Sequence, residues 1–114
     1  HKDIWDWLKK TKVGVIPFCD NPLTQMGTPT KLFEYMASGC RIVASDLPPI
    51  NLFRVEGLHL VKPGNVDALA EALIKALEDD SRTSIEKNRE KIFTDYNWES
   101  INTKLINLYN KWMP

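Results

Sequence analysis

Disulfides, surplus charge and long apolar runs are all missing from this 114-residue chain, and each absence removes a class of protein. The two cysteines, Cys19 and Cys40, are too few for a disulfide framework and lack C-x-x-C spacing, so reduced thiols and no metal site are expected. Lys and Arg number 15 and Asp and Glu number 15, a formal net charge of zero, which removes the electrostatic term behind phosphate-backbone binding and with it nucleic acid as a partner. No apolar stretch approaches the roughly 20 residues of a membrane helix, and His1-Lys2-Asp3 is not a secretory start; a soluble, cytoplasmic protein is the expectation. A second domain does not fit in this length. One domain of this size buries roughly 65% of its unfolded surface, enough for a single core.

What is present alternates strand with helix. Asp3 to Lys10 reads as an opening helix with Ile4, Trp5 and Leu8 on one face and lysines in its last turn. Val13 to Phe18 is a nearly continuous apolar run, as in a strand buried on both faces, which Pro17 would end. A loop from Cys19 to Gly27 follows. Thr28 then offers a hydroxyl cap with Pro29 at the first helical position, and Leu32, Phe33, Met36 and Ala37 form a stripe that stops before Gly39. Arg41 to Ser45 is a second strand, Asp46 to Pro49 a turn, and Ile50 to Arg54 a short helix. Leu58 to Val61 is a third strand. Asn65 caps a helix with the stripe Leu69, Ala70, Leu73, Ile74 and Leu77. Beyond Asp80 only helix remains: a charged one from Ser84 to about Asp95, and one from Trp98 to Trp112 with Ile101, Leu105, Leu108 and Trp112 on one face.

This order predicts an α/β chain: a doubly wound, Rossmann-like parallel sheet of about three strands with helices on both faces, residues 1–80, followed by C-terminal helices, residues 81–114, all in one partial domain. Three strands are few for such a sheet, so further strands are expected from upstream sequence or from another copy.

In a doubly wound fold, ligands bind where the loop after a strand delivers the next helix. The loop from Phe18 to Pro29 is such a place, and the helix N-terminus there favours an anion, phosphate above all. Lys31, Glu34 and Ser38 share one face of the helix, opposite the apolar stripe. Lys31 suits phosphate charge and Glu34 a pair of sugar hydroxyls. The same two residue types also read as a solvated pair contributing about 0.2–0.5 kcal/mol. His59 reads as a packed or hydrogen-bonded strand residue, and Trp5, Trp7, Trp98 and Trp112 as core or interface anchors.

The run Gly27-Thr28-Pro29-Thr30-Lys31-Leu32-Phe33-Glu34-Tyr35-Met36-Ala37-Ser38-Gly39, continuing through Arg41-Ile42-Val43-Ala44-Ser45-Asp46-Leu47-Pro48, resembles the donor-site segment of group 1 (family 4) glycosyltransferases. The resemblance extends upstream to Val13 to Phe18 and downstream through Leu60-Val61-Lys62-Pro63-Gly64 and Asp67 to Ala70. It implies the GT-B architecture and the nucleotide-sugar-binding domain of a retaining transferase that needs no metal or other cofactor, its donor a UDP-, GDP- or ADP-sugar.

In that family two glutamates separated by seven residues mark the donor site. Glu34 matches the second, which contacts the ribose. Met26 stands where the first would contact the sugar, leaving Gln25 or a loop amide to serve. Gly27, Thr28, Thr30, Lys31 and Leu32 correspond to the segment facing the diphosphate and sugar, although Pro29 has no N–H to give. The family's basic diphosphate clamp and its acceptor-binding N-terminal domain are absent, so the chain is expected to be an inactive fragment with no complete catalytic set. Its parent could act at the inner membrane face, and its last helix would be left with an apolar face open to self-association. The rival readings are a non-catalytic association module derived from a GT-B domain and a sugar-nucleotide epimerase of the same architecture.

Overall fold

The computed structural model describes residues 2–53 and 55–113. In chain order these form α1 (Lys2–Leu8), β1 (Val13–Ile16), α2 (Pro22–Met26), α3 (Thr30–Ser38), β2 (Arg41–Ser45), α4 (Pro48–Asn51), β3 (Leu58–Val61), α5 (Val66–Glu78), α6 (Arg82–Thr94) and α7 (Trp98–Trp112). The strands make a three-stranded parallel sheet in the order β1-β2-β3, with Val15 opposite Val43 and Val43 opposite His59. This is the α/β, Rossmann-like arrangement that strand-helix alternation requires, since parallel neighbours can be joined only by a crossover.

Because successive side chains of a strand point to opposite faces, β2 feeds two cores. Ile42 and Ala44 join Ile16, Leu32, Met36 and Ile50 beneath α3 and α4, whereas Val43 meets Val61, Ala72 and Ala76 beneath α5. On the α3 side the Tyr35 ring lies against the backbone of Gly14, where an added Cβ would come within 2.4 Å of the ring. Only glycine admits that approach. Gly39, in the left-handed region at φ 78°, ends α3 as expected, and the Cys40 N–H closes the motif on the Tyr35 carbonyl. Burial pushes the Cys40 thiol pKa up, while Cys19 is exposed; both are free.

Several local expectations are corrected. The loop between Cys19 and Gly27 contains α2, closed by a capping box in which Asn21 and Thr24 exchange side-chain and backbone hydrogen bonds at 3.1 Å. Helix α3 begins at Thr30 with Pro29 as its N-cap and no side-chain cap bond, so Thr28 stands outside the helix. Helix α4 starts two residues early, at Pro48, because a proline at the first helical position has no N–H to leave unsatisfied; the Arg54 end foreseen for it lies outside the described residues. Helix α1 ends at Leu8, before the lysines, with Ile4 and Trp5 exposed.

The stripe of α5 is rotated from the one expected. Ala72 and Ala76 are buried and Leu69 and Leu73 partly so, while Ala70, Ile74 and Leu77 are exposed. Small residues let the helix sit close to β2, and the larger side chains flank the contact. None of Trp5, Trp7, Trp98 and Trp112 is in the core; all four are exposed. His59 lies half-buried in β3, and its Nε2 is buried without a hydrogen-bond partner among the described residues.

Helix α6 crosses back over α3. Its Asn88, 3% exposed, accepts from the Glu56 N–H at 2.9 Å and donates to the Glu56 carbonyl at 2.8 Å, clamping the approach to β3. Phe33, Phe53 and Tyr96 form an aromatic cluster, with ring centroids 4.9 to 5.6 Å apart, at the same junction. Helix α7 buries no residue. Among the described residues no helix is long and apolar enough to cross a membrane.

Candidate functional site

The carboxyl ends of β1 and β2 frame the site. After Ile16 the chain leaves the sheet through Pro17 and Phe18, and two hydroxyls fix this exit: Ser45 Oγ at the end of β2 donates to the Phe18 carbonyl at 2.7 Å, and Thr24 Oγ1 of α2 donates to the Cys19 carbonyl. Ser45 is 2% exposed, so the first of these bonds is shielded from water. The Thr24 bond joins α2 to this loop, α2 itself packs against α4, and the chain then runs through Gly27, Thr28 and Pro29 to the start of α3. Neither Ser45 nor Thr24 stood out in the sequence, although Asn21-Pro22 followed by Thr24 is a readable helix start.

Along that stretch the residues separate by role. Gly27, Thr28, Thr30, Lys31 and Glu34 are exposed. Leu32 is fully buried, its side chain committed to the core and its N–H donated to the Pro29 carbonyl at 3.1 Å. The first two N–H groups of α3, those of Thr30 and Lys31, have no acceptor among the described residues. They are the pair a helix start offers to an anion. Lys31 and Glu34 make no ion pair with each other; among the described residues the salt bridge is Arg41–Asp79 at 3.6 Å. Lys31 stands in the first turn of α3 and Glu34 about one turn further along, both exposed. Ser38 turns inward along the helix, its Oγ donating to the Glu34 carbonyl at 2.7 Å.

Met26, at the end of α2, is 87% exposed, an apolar side chain held out beside the site. Gln25 is engaged elsewhere, its Nε2 donating to Asp20 Oδ1 at 2.5 Å. Releasing that bond is the condition for Gln25 to reach any ligand.

A cavity of about 190 Å³ opens at the same end of the sheet but on its α5 side, lined by Phe18, Cys19, Ser45, Val61, Lys62 and Leu69 among others. It shares no residue with the run from Gly27 to Glu34. The chemistry readable at the α3 start is thus surface chemistry: two amides and one cation in the first turn and one carboxylate a turn further on, open to solvent.

A family model described as glycosyl transferases group 1 matches residues 1–79, the stretch from α1 through α5 and its cap. No curated protein and no solved structure matches the chain.

Proposed function

We propose, since the chain belongs to the glycosyl transferases of group 1, that its α/β body is the donor-binding part of a GT-B transferase, holding a nucleotide sugar at the start of α3. The observation that carries this reading is the pair of unfilled N–H groups at Thr30 and Lys31 beside two unpaired charged side chains, Lys31 and Glu34. Diphosphate oxygens would accept from the amides and gain from the helix dipole and the Lys31 ammonium. Glu34, an acceptor with two carboxylate oxygens, suits the vicinal hydroxyls of ribose.

In glycosyl transfer the nucleoside diphosphate departs as an anion, and donors fixed in advance around it stabilise the charge as it develops. That is the role proposed for the amides and Lys31 in a transfer that retains configuration. Gly27, Thr28 and the exposed hydroxyl of Thr30 would border the sugar, where Met26 offers no carboxylate. With Met26 in place of a carboxylate at the sugar, the chain on its own is expected to transfer nothing.

The test is titration of the chain with UDP, GDP and ADP, following amide NMR shifts. Shifts confined to Thr28 through Glu34, and weakened by Glu34→Ala, are the expected result. Absence of shifts at millimolar concentrations of all three nucleotides would remove donor binding from this chain and favour the association-module reading, to which the exposed Met26 already lends weight.

A further inference from the structure

Asp20 is the single carboxylate between Ile16 and Thr30, the stretch that carries the chain from the end of β1 to the start of α3. It is exposed, and it follows two residues whose carbonyls are tied down, that of Phe18 by Ser45 Oγ at 2.7 Å and that of Cys19 by Thr24 Oγ1. Its own side chain is held as well, because Gln25 Nε2 donates to Oδ1 at 2.5 Å. One carboxylate oxygen is thus fixed by an amide that reaches back along α2. The other, Oδ2, has no hydrogen bond among the described residues.

The remaining polar side chains of the stretch are spent on α2 or carry no charge. Asn21 Oδ1 accepts from the Leu23 and Thr24 N–H groups. Thr24 Oγ1 accepts from the Asn21 N–H in addition to its bond to Cys19. Thr28 and Thr30 keep exposed, neutral hydroxyls. A sugar hydroxyl is held best by an ionised acceptor, since a hydrogen bond to a charged group is roughly twice as strong as one between neutral groups. In this stretch only Asp20 offers that, at the carboxyl end of a parallel strand, where doubly wound sheets bind their ligands.

We propose that Asp20 is a sugar-binding residue of the donor site, its free oxygen accepting from a hydroxyl of the transferred sugar and Gln25 holding it in position. This rests on the reading that puts the nucleotide at the start of α3. The part of Asp20 is binding, so the expectation that the chain alone transfers nothing stands. Asp46 serves as the control. It is exposed at the same end of the sheet, with its Oδ1 tied by Asn51 Nδ2 at 2.7 Å, but it leads into α4 instead of α3.

The test is calorimetric titration of the full chain with UDP and UDP-glucose, GDP and GDP-mannose, and ADP and ADP-glucose. The readout is the ratio of affinities within each pair, sugar ester against free diphosphate. For the pair that binds, Asp20→Ala should lower the ratio about 10-fold and leave the affinity for the free diphosphate unchanged. Gln25→Ala, which lets the carboxylate turn, should lower the ratio by a smaller factor, about 3-fold. Asp46→Ala should leave it as it is. A free diphosphate that binds with a ratio insensitive to Asp20→Ala, or lowered as much by Asp46→Ala, would overturn this proposal and leave the nucleotide reading standing. Failure of all three diphosphates to bind would remove both.

Discussion

Helices α6 and α7 are neighbours in the chain, and each does the opposite of what its composition suggests. Helix α6 carries Arg82, Glu86, Lys87, Arg89, Glu90 and Lys91 and has a poor apolar stripe, yet it is docked across α3, its inner face closed by Asn88 and its end by Tyr96. Helix α7 carries Trp98, Ile101, Leu105, Leu108 and Trp112 along one face with Ile106 and Tyr109 beside it, and none of its residues is buried. Periodicity reports that a helix has a face to cover; whether the cover lies in the same chain depends on where the preceding turn sends it. A few well-placed polar groups can dock a helix when the partner is a backbone with one N–H and one carbonyl to satisfy. Asn, with one acceptor and two donors on a short stem, suits that task.

The strongest way to break the contrast is to open the α6 clamp. Asn88→Ala leaves the Glu56 N–H and carbonyl without their partners in a part-buried position, and should destabilise the chain by about 2–3 kcal/mol, read from the urea midpoint. A loss below about 0.5 kcal/mol would mean that α6 is held by its apolar residues alone. Tyr96→Ala should come next. It removes two of the three ring contacts at the junction, each contributing about 0.5–1.5 kcal/mol, so a fall of about 1–3 kcal/mol with unchanged helix content is expected.

The sequence displayed the parts of this arrangement that depend on local chemistry. The three strands, the Gly39 cap, the Asn65 cap and the full extent of α7 were legible, because apolar runs, a left-handed glycine and Asn before a helix act within a few residues of themselves. The Asn88 clamp was not, since its partner is 32 positions away and nothing in a charged helix marks one amide as buried. The rotation of α5 escaped for a related reason. Leucine outweighs alanine in any reading of a stripe, yet closeness to β2 selected Ala72 and Ala76 for the contact. At the candidate site the residue run was legible and its geometry was not. Leu32 is spent on the core beneath α3, Pro29 rather than Thr28 caps that helix, and Gln25 is tied to Asp20, and none of these is marked by residue type alone.

The smallest expected effect sharpens the contrast most. Leu108 lies on the apolar face of α7, 55% exposed, with no core residue of its own chain against it. In dilute solution Leu108→Ala should change stability by no more than about 0.5 kcal/mol, because alanine is as good a helix former and no packed contact is lost. A loss above about 1 kcal/mol under those conditions would show that α7 packs on its own body and would erase the difference from α6.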